Sequence, residues 1–377
     1  MKVFIIAAEA SGDALGASLI EGLKHAIPTI LFQGVGGAQM KAAGLPESLF
    51  PMEELSLMGI AEIVPQIPKM LKRITETTEA VKAFQPDLLI TIDGPDFCFR
   101  VQKKVRELNI KGLKQAHCVA PTVWAWREKR AAKIAAFLDG LLCLLPFEPP
   151  YFEKEGLKSC YMGHPFVAKA HELPEAEEAR ALFDLEDNEK TLGLYFGSRG
   201  QEVARHLELF CEAVKTLPVD RFLVPTLPHL HDRIADGLAR HGLTARTQIV
   251  LDKAQHGAAM RASHAALAVS GTIGLELALA GTPHIIAYKM SPLTYHVVKH
   301  LIKVGNAHLG SLIFGRTIVP EYIQGAATPL ALSEGLMPLL TSADAIVQQK
   351  RDFVLLIEAL TTKKPPSDLA ADFLLGL

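Results

Sequence analysis

The chain has 377 residues, 49% of them hydrophobic, and 39 Lys and Arg against 41 Asp and Glu leave a formal net charge of −2. A length of roughly two ordinary domains predicts two separate cores, and the near-neutral balance, with no global basic field, argues against a nucleic-acid partner. Five scattered cysteines (Cys98, Cys118, Cys143, Cys160 and Cys211) lack CxxC spacing and read as reduced thiols, and the histidines show no metal-ligand pattern such as HExxH.

In chain order, "KVFIIAA" is a buried strand by composition, and Gly12 and Asp13 follow too soon for a signal peptide. No run reaches the ~18 uninterrupted apolar residues of a spanning helix. The turn "EASGD" offers Glu9, Ser11 and Asp13 as contacts to an acceptor or, more plainly, as a capped turn, before the helical pattern "DALGASLIEGLKHA". "TILFQGVGG" is a second strand leading to the helix "AQMKAAG". Its Gly34, Gly36 and Gly37 imitate a dinucleotide fingerprint, but Gln39 stands where the third glycine belongs, so no dinucleotide site is expected.

"LSLMGIAEIVPQIPKMLKRI" places Met58, Ile60, Ile63, Val64, Ile67, Met70 and Leu71 on an apolar surface flanked by Lys69, Lys72 and Arg73. Pro65 and Pro68 argue against a long regular core helix. An apolar patch with a cationic rim suits a bilayer face or acyl chains; the alternative is a helix packed on the sheet. "DLLITID" is a third strand, ending on Asp93 and Asp96. In a partly closed cleft one of these carboxylates can take a proton from an alcohol, unless both only cap the helix near Phe97. Asp-x-x-Asp is not the Asp-x-Asp of metal-dependent glycosyl transfer, so no metal is implied. "LKQAHCV" and "GLLCLLP" are further strands, and Trp124 and Trp126 between them read as indoles packed at a domain edge.

Residues 163–190 are acidic, contain prolines and lack strand signal, so they read as a linker with one exposed helix. "TLGLYFGSRG", "DRFLVPT", "ARTQIVL", "HAALAVSGT" and "HIIAYK" then supply a second strand series. Gly197, Ser198 and Arg199 lie between a strand and a helix, where free amides and a planar cation suit a phosphate. In "AVSGTIGLELALAGTP", Ser270 or Thr272 can cap a helix and Gly271 admits a ligand to its amides. Glu276 sits within that apolar helix, where a carboxylate costs several kcal/mol unless partnered. It can turn back to accept from both ribose hydroxyls, or it is a surface residue on the outer face. The tail "KKPPSDLAADFLLGL" reads as a surface helix. The alternation throughout predicts an α/β protein, with two Rossmann-like domains facing a cleft and functional residues just beyond the strand ends.

The blocks "EASGDALGASL", "GVGGAQM", "MGIAEIV", "IDGPDF", "PTVWAWR", "LPFE", "GHPF", "GSRGQEV", "SGTIGLE" and "GRTIVPE" occur in this order over nearly the whole chain. Together they closely resemble the signature of the lipid-A-disaccharide synthase family, inverting glycosyltransferases of the GT-B fold (family 19). The resemblance implies that UDP-2,3-diacylglucosamine and 2,3-diacylglucosamine 1-phosphate are joined into a β-1,6-linked disaccharide 1-phosphate with release of UDP. It assigns Asp96 as general base, while the reading of the residues keeps Asp93 as the other candidate. It places Glu9 and Ser11 in the N-terminal loop, Arg199 and Glu276 on the nucleotide, and Ser311, Arg316 and Glu321 in the late nucleotide-side block. It further implies an acceptor domain at 1–165, a UDP-sugar domain at 166–345, and a helical tail at 346–377 packing back on the first. No cofactor is expected, since the UDP-sugar is a substrate. The expected location is the inner face of the cytoplasmic membrane, peripherally held, with a homodimer left open. Two departures stand out: Cys98 and Ser311 occupy positions where the family usually has Asn. The rival readings are another GT-B UDP-N-acetylglucosamine enzyme (an epimerase or transferase), and a catalytically silent nucleotide-sugar or lipid-binding protein.

Overall fold

The computed structural model describes residues 1–55, 60–126, 128–291, 295 and 305–377, apart from the side chains of residues 10, 60–66 and 126. The chain divides into two compact units, residues 1–165 with 362–377, and residues 166–361. Each is built on one six-stranded, wholly parallel sheet, as expected of two Rossmann-like domains. The first sheet comprises β1 (Lys2–Ala7), β2 (Leu31–Val35), β3 (Leu88–Ile92), β4 (Lys114–Cys118), β5 (Gly140–Cys143) and β6 (Lys158–Tyr161), in the order β2-β1-β3-β4-β5-β6. The second comprises β7 (Thr191–Tyr195), β8 (Arg221–Pro225), β9 (Thr247–Val250), β10 (Ala265–Val269), β11 (His284–Tyr288) and β12 (Glu321–Ile323), in the order β12-β11-β10-β7-β8-β9.

Central strands such as LLITI in β3 and AALAV in β10 are buried along their whole length. Helices cover both faces of a parallel sheet, so most of its inner strands read as apolar runs, β4 with buried Gln115 and His117 being the exception. The edge strands β6 (KSCY) and β12 (EYI) escaped the sequence reading for the same reason: they are short, half-exposed and carry no such run.

In each sheet the strand order reverses once. β1 pairs β3 in the first sheet and β7 pairs β10 in the second, which puts a crevice at the carboxyl ends of those pairs. β1 is followed by Glu9–Asp13, the cap and first turn of helix Ala10–Ala26, and β3 by Asp93–Asp96, while β7 and β10 are followed by Gly197–Arg199 and Ser270–Thr272.

Three expectations change. The segment after residue 59 is one helix, Ile60–Phe84, running through both Pro65 and Pro68. The prolines forgo two backbone bonds within its first three turns, while Ile74, Thr77, Thr78 and Val81 bury the remainder. Residues 163–190 hold two helices, Pro165–His171 and Ala176–Ala181, and Ala179 and Phe183 join a core cluster of the second unit. The terminal region is also split. Helix Ala343–Leu360 belongs to the second unit, where Phe353, Leu356 and Leu360 are buried, and only residues 362–377 return to the first. There the helix Pro366–Leu375 contributes Ala370, Ala371 and Leu374 to the core. It lies so close that a Cβ on Gly22 would overlap the Ser367 carbonyl.

Candidate functional site

In the first unit, β3 ends in two successive left-handed residues, Asp93 (φ 53°) and Gly94 (φ 50°). Gly94 is obligatory here, because a Cβ would strike that of Ala8. Asp93 has no such freedom, and a non-glycine residue held in this region at a strand end marks a place where the surrounding structure sustains strain. Its N–H donates to the Cys118 carbonyl at the end of β4 (3.0 Å), and its Oδ1 accepts from the Gly94 N–H (2.8 Å). The half-buried carboxylate stands near the buried Cys98, whose thiol is pushed far up, first by burial and then by the Asp93 charge. Asp96 is different: it is exposed, in the first turn of helix Pro95–Glu107, which Pro95 opens.

Glu9 and Ser11 are exposed at the matching end of β1. Asp13 is not an acceptor contact. It is 4% exposed, and its carboxylate accepts from the backbone N–H of Gly37 (2.7 Å), Gln39 (3.0 Å) and Met40 (3.1 Å). That role also accounts for the "GVGG" loop, which Asp13 ties down from a neighbouring helix.

The sequence reading passed over Glu148 of "LPFE". It is 4% exposed, with Oε2 accepting from Leu145 N (3.0 Å) and Oε1 from Trp124 Nε1 (3.3 Å). Burial raises its carboxyl to about 7 against the pull of those bonds. Trp124, packed edge-on against Phe147, is thereby held at the carboxyl edge of the sheet.

In the second unit, Gly197 turns the chain at φ 101° and Arg199 caps the helix Gly200–Val214 with its side chain 78% exposed. Among the described residues its one ion-pair contact is a long 3.4 Å to Glu202 Oε1, which leaves the guanidinium available to a ligand. After β10, neither Ser270 nor Thr272 caps the next helix. The cap is Gly271, without side-chain help, and the Ser270 hydroxyl donates instead to the Ala307 carbonyl (3.1 Å). Gly271 and Thr272 are exposed, and a Cβ on Gly271 would meet nothing within 4 Å. Among the described residues the start of helix Thr272–Leu279 is therefore exposed and has no side-chain cap, a setting that suits an anion.

Glu276 lies one turn further in. Among the described residues none donates it a hydrogen bond. Burial raises its carboxyl to about 7, while the charges of Lys169 and Lys253 oppose this. Burial, and then the Glu276 charge, raises the phenol of Tyr195 on β7, whose buried hydroxyl has no partner among the described residues. A partly buried carboxylate with no donor among the described residues is an arrangement that a polar ligand would complete.

The late block is structural. Ser311 is wholly buried and its Oγ accepts from Ile318 N (3.2 Å), so it does not reach a nucleotide. Arg316 is not free for one either: both guanidinium NH2 nitrogens bond the buried Asp352, at 3.2 and 2.5 Å. Glu321 accepts from Ala307 N (2.5 Å) and His308 N (3.2 Å), clamping the segment that receives Ser270.

Of the apolar patch, Met58 lies outside the described residues, as do the side chains of Ile60, Ile63 and Val64. Ile67 (43%) and Leu71 (48%) are exposed and Met70 is half-buried. Glu54 partly neutralises the rim, pairing Arg73 at 2.7 Å and Lys69 at 3.4 Å. Among the described residues no single helix is long and apolar enough to cross a membrane.

The model of the lipid-A-disaccharide synthetase family matches residues 3–368. The chain is 41% identical over 354 residues to the lipid-A-disaccharide synthase of Rhodospirillum centenum, covering 93% of this chain and 87% of that protein. It is 39% identical to the synthase of Bradyrhizobium diazoefficiens, covering 100% and 96%. Among solved structures it resembles a UDP-GlcNAc 2-epimerase from Neisseria meningitidis bound to UDP-GlcNAc, with TM-score 0.64 and 13% identity over 100% of this chain and 99% of that one. It also resembles a glycosyltransferase from Rickettsia africae, with TM-score 0.59 and 12% identity over 98% and 96%. These two likenesses establish the GT-B fold.

Proposed function

This chain belongs to the lipid-A-disaccharide synthase family of glycosyltransferases, and from that premise we propose that it joins UDP-2,3-diacylglucosamine to 2,3-diacylglucosamine 1-phosphate at the inner face of the cytoplasmic membrane. The second unit holds the donor. The amides at Gly271 and Thr272 and at Gly197 and Ser198, together with Arg199, bind the diphosphate, and Glu276 accepts from the ribose hydroxyls. The observation that carries this assignment is Glu276, a carboxylate with no hydrogen-bond donor among the described residues, one turn behind an exposed helix start.

The first unit supplies the base. Asp93 is the better supported of the two aspartates, being half-buried, fixed by its own strained turn, and directly at the strand end; Asp96 points from an exposed helical turn. The base takes the proton of the acceptor 6-hydroxyl as that oxygen attacks the anomeric carbon. The bond from that carbon to the UDP oxygen breaks, and its electron pair leaves with the diphosphate, stabilised by helix amides and Arg199 without a metal. A single displacement inverts the anomeric configuration. Glu9 and Ser11 contact the acceptor, and Ile67, Met70 and Leu71 meet acyl chains or the bilayer surface.

The test is turnover of both acylated substrates by Asp93→Asn and Asp96→Asn. Loss of a general base lowers kcat by about 100- to 10,000-fold. We expect that loss at Asp93 and less than about tenfold at Asp96, in line with a supporting role. The reverse pattern returns the base role to Asp96, and near-normal turnover by both removes it from this turn.

A further inference from the structure

Ser270 is held from below by a segment whose own support is a buried histidine pair. Its hydroxyl donates to the Ala307 carbonyl, and the next residue is His308, fully buried at the start of the helix Leu309–Phe314. The His308 ring fills the space that Gly274 leaves: a Cβ on Gly274 would lie 2.7 Å from its Cδ2 and 3.0 Å from its Nε2. Gly274 belongs to the first turn of the helix that Gly271 caps, so the imidazole packs directly under the proposed diphosphate turn.

The hydrogen bonds fix both tautomers. His284 Nδ1 lies 2.8 Å from the Thr282 carbonyl, which can only accept, so that nitrogen carries the proton. His284 Nε2 therefore presents a lone pair to His308 Nε2 at 3.1 Å, and His308 donates. This leaves His308 Nδ1 to accept from Ser311 N at 3.3 Å. This pattern is that of two neutral rings, and the Gly274 backbone is a further hydrogen-bond partner of the His308 ring. Burial favours that state, lowering His284 to about 3 and His308 to about 4. The far end is anchored: Gln349 brackets the His284 backbone, accepting from its N (2.9 Å) and donating to its O (3.0 Å), while Phe353 stacks on the ring.

We infer that His308, seated in the space left by Gly274 and hydrogen-bonded to His284, is a positioning residue for the Ser270–Thr272 turn and thereby sets the affinity for the donor's nucleotide diphosphate. The inference rests on the proposed donor site. Nothing about a histidine in this segment signals the role in sequence; it depends on a glycine 34 positions earlier in the chain.

The experiment measures the Kd for UDP, the KM of each substrate and thermal unfolding for His308→Ala, Gly274→Ala and the double variant. Loosening one hydrogen-bonded support weakens binding by about threefold to tenfold. We expect each single variant to raise the UDP Kd and donor KM by about that factor, with acceptor KM unchanged. The double variant should bind no worse than His308→Ala alone, because the added methyl no longer meets a ring. Gly274→Ala keeps every hydrogen-bonding group and serves as the probe should His308→Ala fail to fold. Unchanged UDP affinity in the folded variants, with only a lower Tm, overturns the inference. Arg199→Ala and Glu276→Gln separate the two failures: if these also leave UDP binding intact, the donor-site reading has failed, and if they weaken it, only the histidine inference falls.

Discussion

Glu276→Gln removes the charge of the proposed ribose contact while keeping its shape and one acceptor oxygen. A hydrogen bond to a charged group contributes about 1.5–3 kcal/mol. Gln retains part of that, so the lower end applies, and the UDP Kd should rise about tenfold at pH 8. Protons give a sharper signature. Burial sets the free carboxyl at about 7, so at pH 7 about half the molecules hold a proton on Glu276. Ribose hydroxyls donating to the carboxylate favour the ionised form, and binding expels that proton. Titration calorimetry in two buffers of different ionisation enthalpy therefore should show wild type releasing about half a proton more than Glu276→Gln at pH 7. The excess should grow towards one at pH 6 and fade by pH 8. UDP's own phosphate titration is common to both proteins and cancels in the difference. Equal proton release and equal affinity in the two proteins would refute the ribose assignment.

Glu148 tests a pH effect on stability. Its carboxyl is raised from 4.5 to about 7 on folding, so its favourable contribution is complete below about 4.5 and is lost as pH rises through about 7. Between pH 6 and pH 8 this amounts to about 1.4 kcal/mol, which Glu148→Gln should remove from the denaturant-unfolding difference; an unaltered pH slope contradicts the burial argument. The exposed Ile67 and Leu71 test the lipid contact. Ile67→Ser with Leu71→Ser should lower co-sedimentation with anionic vesicles by about tenfold, since two exposed side chains contribute about 1.5 kcal/mol or more when buried. Unchanged vesicle binding together with unchanged KM for acylated substrates removes this face from the proposal.

Most strands were legible from short apolar runs bounded by turn residues, even β4 with its buried Gln115 and His117 and the half-exposed edge strand β9. β6 and β12 lie at sheet edges, face solvent, and carry no such run. The switch-point turns were legible too, since glycines and short polar residues directly after apolar runs have few other uses. Side-chain roles within them were harder, because they depend on partners distant in sequence. Asp13 and Asp93 both follow a strand within a few residues, but only Asp13 meets the amides of a loop 24–27 positions on, and these occupy its carboxylate. Arg316 looked like a nucleotide contact until Asp352 took its guanidinium, 36 residues later. The anomalous burial of Glu276 was visible because a carboxylate in "IGLELALA" stands out among apolar residues. Glu148 could have been flagged similarly, as the lone charge within "LLCLLPFEPP".

The central claim is a metal-independent, inverting transfer between two acylated sugars. Purified protein should be given UDP-2,3-diacylglucosamine and 2,3-diacylglucosamine 1-phosphate, with and without a chelator, and the product analysed by mass spectrometry and by NMR of the new anomeric centre. The account predicts equimolar UDP and a β-1,6-linked disaccharide 1-phosphate, formed at the same rate under both conditions. An α-linked product, an epimerised or hydrolysed donor without disaccharide, or a reaction abolished by the chelator would contradict it.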